Sequence, residues 1–160
     1  MNKKSELRVK KTRNGKGVFA LKDLRSDQLI FPIKGKVVNW KISIKLPQKN
    51  IDNSIRISAE NYLLADGYLT EFINHSCLPN TAITKIGRKL FLKAIAPIKK
   101  GSELVFDYST VLAADDIWTM QCNCGEKECR KIIKKFKTLP KDLRQEYIAK
   151  KIVPEYVLKI

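Results

Sequence analysis

Apolar residues recur along this chain in short runs or at alternate positions, the pattern of half-buried strands rather than long helices. Leu7 and Val9, then Val18, Phe19 and Leu21, predict two strands joined by Thr12-Arg13-Asn14-Gly15-Lys16-Gly17. The two glycines there permit positive φ and a close backbone approach to a ligand. Residues 28–33 and 35–39 are apolar and β-branched but interrupted by Pro32 and Gly35, which predicts short, irregular strands. Residues 40–53 carry few signals and read as a connector. Ile55, Ile57 and Ala59 alternate with polar residues, and a further strand is expected at 62–64, ending at Asp66-Gly67. Residues 81–84 and 89–93 flank Gly87 as a hairpin, and 103–108 resumes strand character after a turn at 97–101. Residues 109–121 are irregular, with Trp118 their largest apolar group, and 129–136 predicts a short basic helix. Helical spacing is clear only near the end, where Leu143, Tyr147, Ile148 and Ile152 follow Pro140 and precede Pro154. The expectation is one mostly β domain with a helical tail.

Length and charge narrow the class. A chain of 160 residues is long enough for its own hydrophobic core, and its 44% apolar content argues against wholesale disorder. No apolar run approaches the length of a membrane span, and the charged start MNKKSELRVKK does not read as a Sec signal. A soluble protein is expected, cytoplasmic or chromatin-associated, with export to a host cell equally compatible. The net charge of +16 favours polyanionic partners such as nucleic acid or a nucleosome. A lysine-rich solvated surface is the plainer explanation, since neither basic end contains a compact block of like charges.

The candidate chemistry lies in EFINHSCLPN, residues 71–80, and QCNCGEKECR, residues 121–130. The first holds the single histidine, His75, beside Asn74, with Cys77 close behind; the second holds the other three of four cysteines. A reducing compartment keeps such thiols free, so a metal is expected before a disulfide. Cys122, Cys124 and Cys129 offer three thiolates on a tight loop, and a structural zinc site takes four ligands. Cys77 completes the set by count, although His75 is an alternative fourth ligand and free buried cysteines are the plain alternative to any metal.

Taken together, these segments resemble SET-domain protein lysine methyltransferases with a zinc-binding post-SET segment, of the small stand-alone type. The resemblance runs through GKGVFA (15–20), GYLTEF (67–72), NHSCLPN (74–80), GSELVFDY (101–108) and CNCGEKECR (122–130), in the family's order. It implies a fold of small curved β-sheets threaded by a pseudoknot, with a zinc-stapled post-SET loop and a C-terminal helix. The expected division is a SET domain over 1–111, a post-SET zinc segment over 112–136 and a helical tail over 137–160. By resemblance, Gly15, Lys16, Gly17, Asn74, His75 and Tyr108 hold S-adenosylmethionine, and Cys77, Cys122, Cys124 and Cys129 hold one structural zinc.

The reaction implied is methyl transfer to the ε-amine of a protein lysine, histone or another basic protein leading. Tyr108 matches the family's active-site tyrosine. Phe106 matches the position controlling how many methyls fit, and phenylalanine there implies di- or trimethylation. In an extended strand both rings point one way and Asp107 the other, as a structural residue. Two departures stand out. Ile33-Lys34-Gly35-Lys36 replaces the family's Y-x-G-E type of motif, so one aromatic wall of the lysine channel must come from elsewhere, with Tyr62, Tyr68 and Tyr147 as candidates. Glu71 stands where an arginine is usual. A basic substrate also requires acidic residues in the groove, for which Glu71 and Asp115-Asp116 are available. The competing reading is a zinc-stapled module of this type without catalysis, binding a protein or nucleic acid.

Overall fold

The computed structural model describes residues 6–160, so the first residues of the charged N-terminal stretch lie outside it. In chain order the described elements are β1 (Leu7–Thr12), β2 (Gly15–Ala20), β3 (Leu29–Pro32), β4 (Lys36–Asn39), α1 (Trp40–Ser43) and α2 (Gln48–Asp52). They continue with β5 (Ser54–Arg56), β6 (Asn61–Leu64), β7 (Asn74–His75), β8 (Thr81–Ile86), β9 (Lys89–Ala94) and β10 (Val105–Phe106). The last are β11 (Met120–Gln121), β12 (Ile132–Ile133), α3 (Lys141–Ala149) and α4 (Glu155–Lys159). The strands form small sheets in the orders β1-β2, β3-β9-β8, β4-β6-β5, β10-β7 and β11-β12. No described helix is long and apolar enough to cross a membrane.

Alternation along the hairpin strands sends one set of side chains inward. Val18, Ala20, Leu92, Ala94 and Leu104 have no exposed surface and anchor the main core. Burial on this scale contributes roughly 1.5–3 kcal/mol per large aliphatic side chain. A second cluster gathers Ala82 with Phe136, Leu139, Tyr147, Ile152 and Val157, so the tail completes the core of the domain.

The two hairpins form as the pattern predicts, though β1–β2 turns more tightly. Thr12 pairs with Gly15, so only Arg13 and Asn14 make the bend, and Gly15 opens β2 at φ 96°. Residues 40–53 fold into α1 and α2 instead of a plain connector. The Asn39 side chain caps α1 by accepting from Lys41 N at 3.1 Å, a local bond too small to register as periodicity. The basic helix expected over 129–136 is replaced by β12 paired with β11. Lys131 adopts φ 66° there, a conformation that cannot continue a right-handed helix. At the other end α3 stops at Ala149, and Lys151 reverses the chain at φ 53°. Ile152 therefore reaches the second core from beyond the helix, and Pro154 precedes α4 rather than ending α3.

Arg56 departs furthest from the alternating pattern. Its side chain is 4% exposed, yet β5 was expected to turn that position to solvent. Asp115 and Asp116, distant in sequence, pair with its guanidinium at 2.5 and 2.9 Å, and Ser58 and Ala59 carbonyls accept its remaining protons. Buried charge requires this degree of pairing.

Candidate active site and cysteine cluster

The centre of the site is the two-stranded parallel ladder in which Asn74 pairs with Val105 and Phe106 with His75. It joins the two motifs that the sequence keeps apart. Asn80 seals the junction, accepting from Val105 N at 3.0 Å and donating to the Glu103 carbonyl at 2.8 Å. Val105 and Phe106 are neighbours on β10, and each lines a different cavity.

The first cavity, about 380 Å³, is lined by the β1–β2 turn, Asn74, His75, Glu103, Cys124 and Glu126. Asn74 donates from Nδ2 to the Lys16 carbonyl at 2.9 Å and to Glu103 Oε1 at 2.7 Å. Among the expected cofactor residues, Asn74 and His75 therefore line this space. Gly15, Lys16 and Gly17 are not among its lining residues: β2 is tied to it through the Lys16 carbonyl that accepts from Asn74, and the Lys16 ammonium lies 5.3 Å from the Phe72 ring centroid. A Cβ at 17 would run into the Glu103 carboxylate, so a larger residue there would displace the Glu103 side chain that Asn74 holds. Arg13 rests against Gly125 of the cysteine loop, so the hairpin turn and that loop meet beside the cavity. Sequence reasoning missed Arg13, Glu103 and Glu126, whose only signal is proximity to the quoted motifs.

His75 is buried, and burial pushes its pKa down to about 4, with Arg130 adding to the effect and Asp107 opposing it. The ring is therefore neutral near pH 7. Its Nδ1 accepts from Tyr108 N at 3.1 Å, which leaves the proton on Nε2, 3.4 Å from Cys77 Sγ.

The second cavity, about 540 Å³, contains Phe106 and Tyr108. The strand ends at Phe106, because Asp107 caps a 3₁₀ turn at Tyr108–Val111 by accepting from Ser109 N at 3.0 Å. The two rings still face the same space, with centroids 4.8 Å apart. Tyr108 donates its hydroxyl to the Ile73 carbonyl at 2.7 Å. Burial, reinforced by Glu103, raises its pKa, so the phenol stays protonated. Asp107 turns away as expected, into a pocket formed by Arg130 and Tyr147.

Of the other cavity candidates, Tyr62 contributes to the lining, Tyr68 is 44% exposed elsewhere, and Tyr147 is directed at Asp107. Glu71 and Asp116 line the cavity, but Asp115 and Asp116 are both occupied by Arg56. Asp52 is an acidic lining residue that the sequence did not single out.

Cys77, Cys122, Cys124 and Cys129 converge until all four Sγ atoms lie within 4.8 Å of one another. The Cys77–Cys122 separation of 3.8 Å is far beyond a disulfide bond. Thiolates bound tetrahedrally at roughly 2.3 Å have sulfur–sulfur edges close to that value, so this donor set fits zinc. Backbone N–H groups of Arg130 and Lys131 point at Cys77 and Cys129 sulfurs, each at 3.4 Å, and stabilise negative charge there. His75 is not needed as a ligand, since the thiols complete the tetrahedron.

A family model of the SET domain matches residues 15–109, more than half of the chain. The chain belongs to the SET-domain family. Within that family it is 32% identical, over 76% of its length, to the "Histone-lysine N-methyltransferase, H3 lysine-36 specific" of Mycosarcoma maydis. It is 27% identical over 75% of its length to the "Histone-lysine N-methyltransferase trithorax" of Drosophila virilis. The chain spans 14% and 3% of those two relatives, respectively. A crystal structure of KRYPTONITE in complex with mCHG DNA and SAH superposes with a TM-score of 0.64 at 24% identity, over 80% of this chain and 29% of that one. The mostly β SET fold is thus common to both.

Proposed function

We propose that this SET domain transfers a methyl group from S-adenosylmethionine to the ε-amine of a lysine in a protein, with a histone or similar basic protein as substrate. The observation that carries the reading is the meeting of two cavities at the β7–β10 ladder, one polar beside Asn74 and His75, the other bearing Phe106 and Tyr108. S-adenosylmethionine supplies an electrophilic sulfonium methyl. The neutral His75, the Asn74 amide and the exposed start of β2 at Gly15 and Lys16, with Gly17 buried behind them, suit the polar groups of such a donor. Curated relatives named as histone-lysine methyltransferases support the acceptor class.

Chemistry on the acceptor side needs a neutral amine, whereas a free lysine has a pKa of about 10.4. The apolar surroundings of Phe106, Ile73 and Val111 disfavour the ammonium form. Tyr108 remains a phenol and orients the amine; no side chain is required as a strong base. Phe106 leaves space beside Tyr108 that a tyrosine hydroxyl would fill, which supports products beyond monomethyl-lysine.

In this reading residues 1–111 supply most of the donor and acceptor contacts, 112–136 are the zinc-bound post-SET segment that closes both cavities, and 137–160 brace both. The strongly basic surface suits nucleosomal DNA, which would hold the enzyme on chromatin while a tail enters the cavity.

The test is incubation of the zinc-loaded protein with labelled S-adenosylmethionine and mixed histones, beside Tyr108→Phe. Label in a histone band that the variant loses is expected. No transfer to any protein, together with no donor binding, overturns the proposal.

A further inference from the structure

The mouth of the second cavity is marked by those lining residues that are also exposed: Ile44, Gln48, Asp52, Ile117 and Thr119. Two of them are isoleucines from segments far apart in the chain, Ile44 at 62% exposed and Ile117 at 93%. A single exposed isoleucine is ordinary on a protein surface, but two large aliphatic groups on one cavity mouth form a contact surface. We infer that Ile44 and Ile117 select the sequence around the acceptor lysine, by gripping an apolar side chain two residues from it. This assignment rests on the transferase reading of that cavity.

Neither side chain owes its exposure to a loose segment. Ile117 lies between two anchored residues. Asp116 accepts from Ala113 N at 2.6 Å, from Arg56 at 2.9 Å and from the Tyr62 hydroxyl at 3.0 Å, and the Trp118 indole donates to Asp52 at 3.0 Å. Ile44 closes α1, donating its N–H to the Trp40 carbonyl at 3.1 Å; the same carbonyl accepts from the buried Ser43 hydroxyl at 2.9 Å. An apolar group already held in place loses little freedom when a partner covers it, so more of its burial appears as affinity.

The rest of the mouth competes little with these two contacts. Asp52 is the one charged side chain among the five, and a single oxygen of it accepts from both Gln48 and Trp118. An extended acceptor segment sends alternate side chains to one face. When its lysine enters the cavity, the residues two positions before and after it face the mouth, roughly 6.6 Å away along the strand. Leucine, isoleucine or methionine at such a position covers Ile44 or Ile117, whereas serine, glycine or lysine leaves them in water. The substrates expected are therefore lysines in locally apolar stretches of a basic protein, not lysines within runs of charge.

The test uses two synthetic peptides, each with one lysine among glycines and either leucine or serine two residues to both sides of it. Binding to the zinc-loaded full chain is measured by calorimetry with S-adenosylhomocysteine present, and methyl transfer to each peptide is followed separately. The leucine peptide is expected to bind at least about tenfold tighter. Ile44→Ser combined with Ile117→Ser should cut that ratio to about twofold or less, while Ile44→Leu with Ile117→Leu should keep it. Equal binding of the two peptides, no binding of either, or a ratio that survives the double serine substitution overturns the assignment. A leucine preference in binding, without transfer to either peptide, would uphold the mouth and sink the transferase reading. Transfer to both peptides with equal kcat/KM would do the reverse.

Discussion

Arg130 donates from Nη2 to both carboxylate oxygens of Asp107, at 2.7 Å each, and the Asp107 side chain has no exposed surface. The pair ties the residue after the last cysteine to the residue before Tyr108. Tyr147 of α3 donates to the same carboxylate at 3.1 Å, so the cysteine loop, the tail and the 3₁₀ turn carrying Tyr108 converge on one buried charge.

Removing one partner of that pair strands the other. Arg130→Met should destabilise the fold by about 3 kcal/mol, as broken buried pairs do. Asp107→Asn in the same chain should recover part of that loss, measured by urea unfolding of both single variants and the double variant. Equal stability of wild type and Arg130→Met would show that solvent screens the contact.

Metal content offers a separate check. About one zinc per chain is expected, held by the four thiols, and Cys124→Ser should lose it. Chelation should release residues 112–136, read as new tryptic cleavage at Lys127 and Lys131 while the β1–β2 and β8–β9 hairpins keep their amide protection. Full protection after chelation would mean that packing alone holds the loop.

His75 and Cys77 are two residues apart and should fail differently. His75→Ala removes the acceptor for Tyr108 N and should weaken donor binding by about tenfold or more with zinc retained. Cys77→Ser should lose zinc and donor binding together, because Cys124 and Glu126 line the donor cavity. Calorimetry with S-adenosylhomocysteine and metal analysis on the same samples separate the two outcomes.

Phe106→Tyr places a hydroxyl beside Tyr108, whose ring centroid is 4.8 Å away. Mass spectra of the product should shift from di- and trimethyl-lysine towards monomethyl-lysine, with total turnover changed by less than about tenfold. Wild-type protein in excess that yields only monomethyl-lysine would remove Phe106 from this role.

Much of the site was legible in the chain because its signals are local or chemically singular. Hairpins β1–β2 and β8–β9 follow from alternation and turn glycines between adjacent segments. Four thiols and one histidine leave few ways to assemble a metal site, and NHSCLPN with FDY and CxCxxxxC is specific enough to name the family. Short helices such as α1 escape notice because four residues cannot establish a helical period. The helix expected after Cys129 fails for a different reason: a left-handed Lys131 and pairing with β11 outweigh local propensity.

The sequence by itself determined which residue types were available for metal, donor and acceptor, and the order in which they occur. Tertiary structure alone decided that Arg56 is buried, that Arg130 meets Asp107, and that Ile44 and Ile117 border one cavity. Each of those outcomes depends on partners far apart in the chain, where charge pairing and cavity shape act only once the strands have closed. No local pattern encodes an arginine's burial until its aspartates arrive.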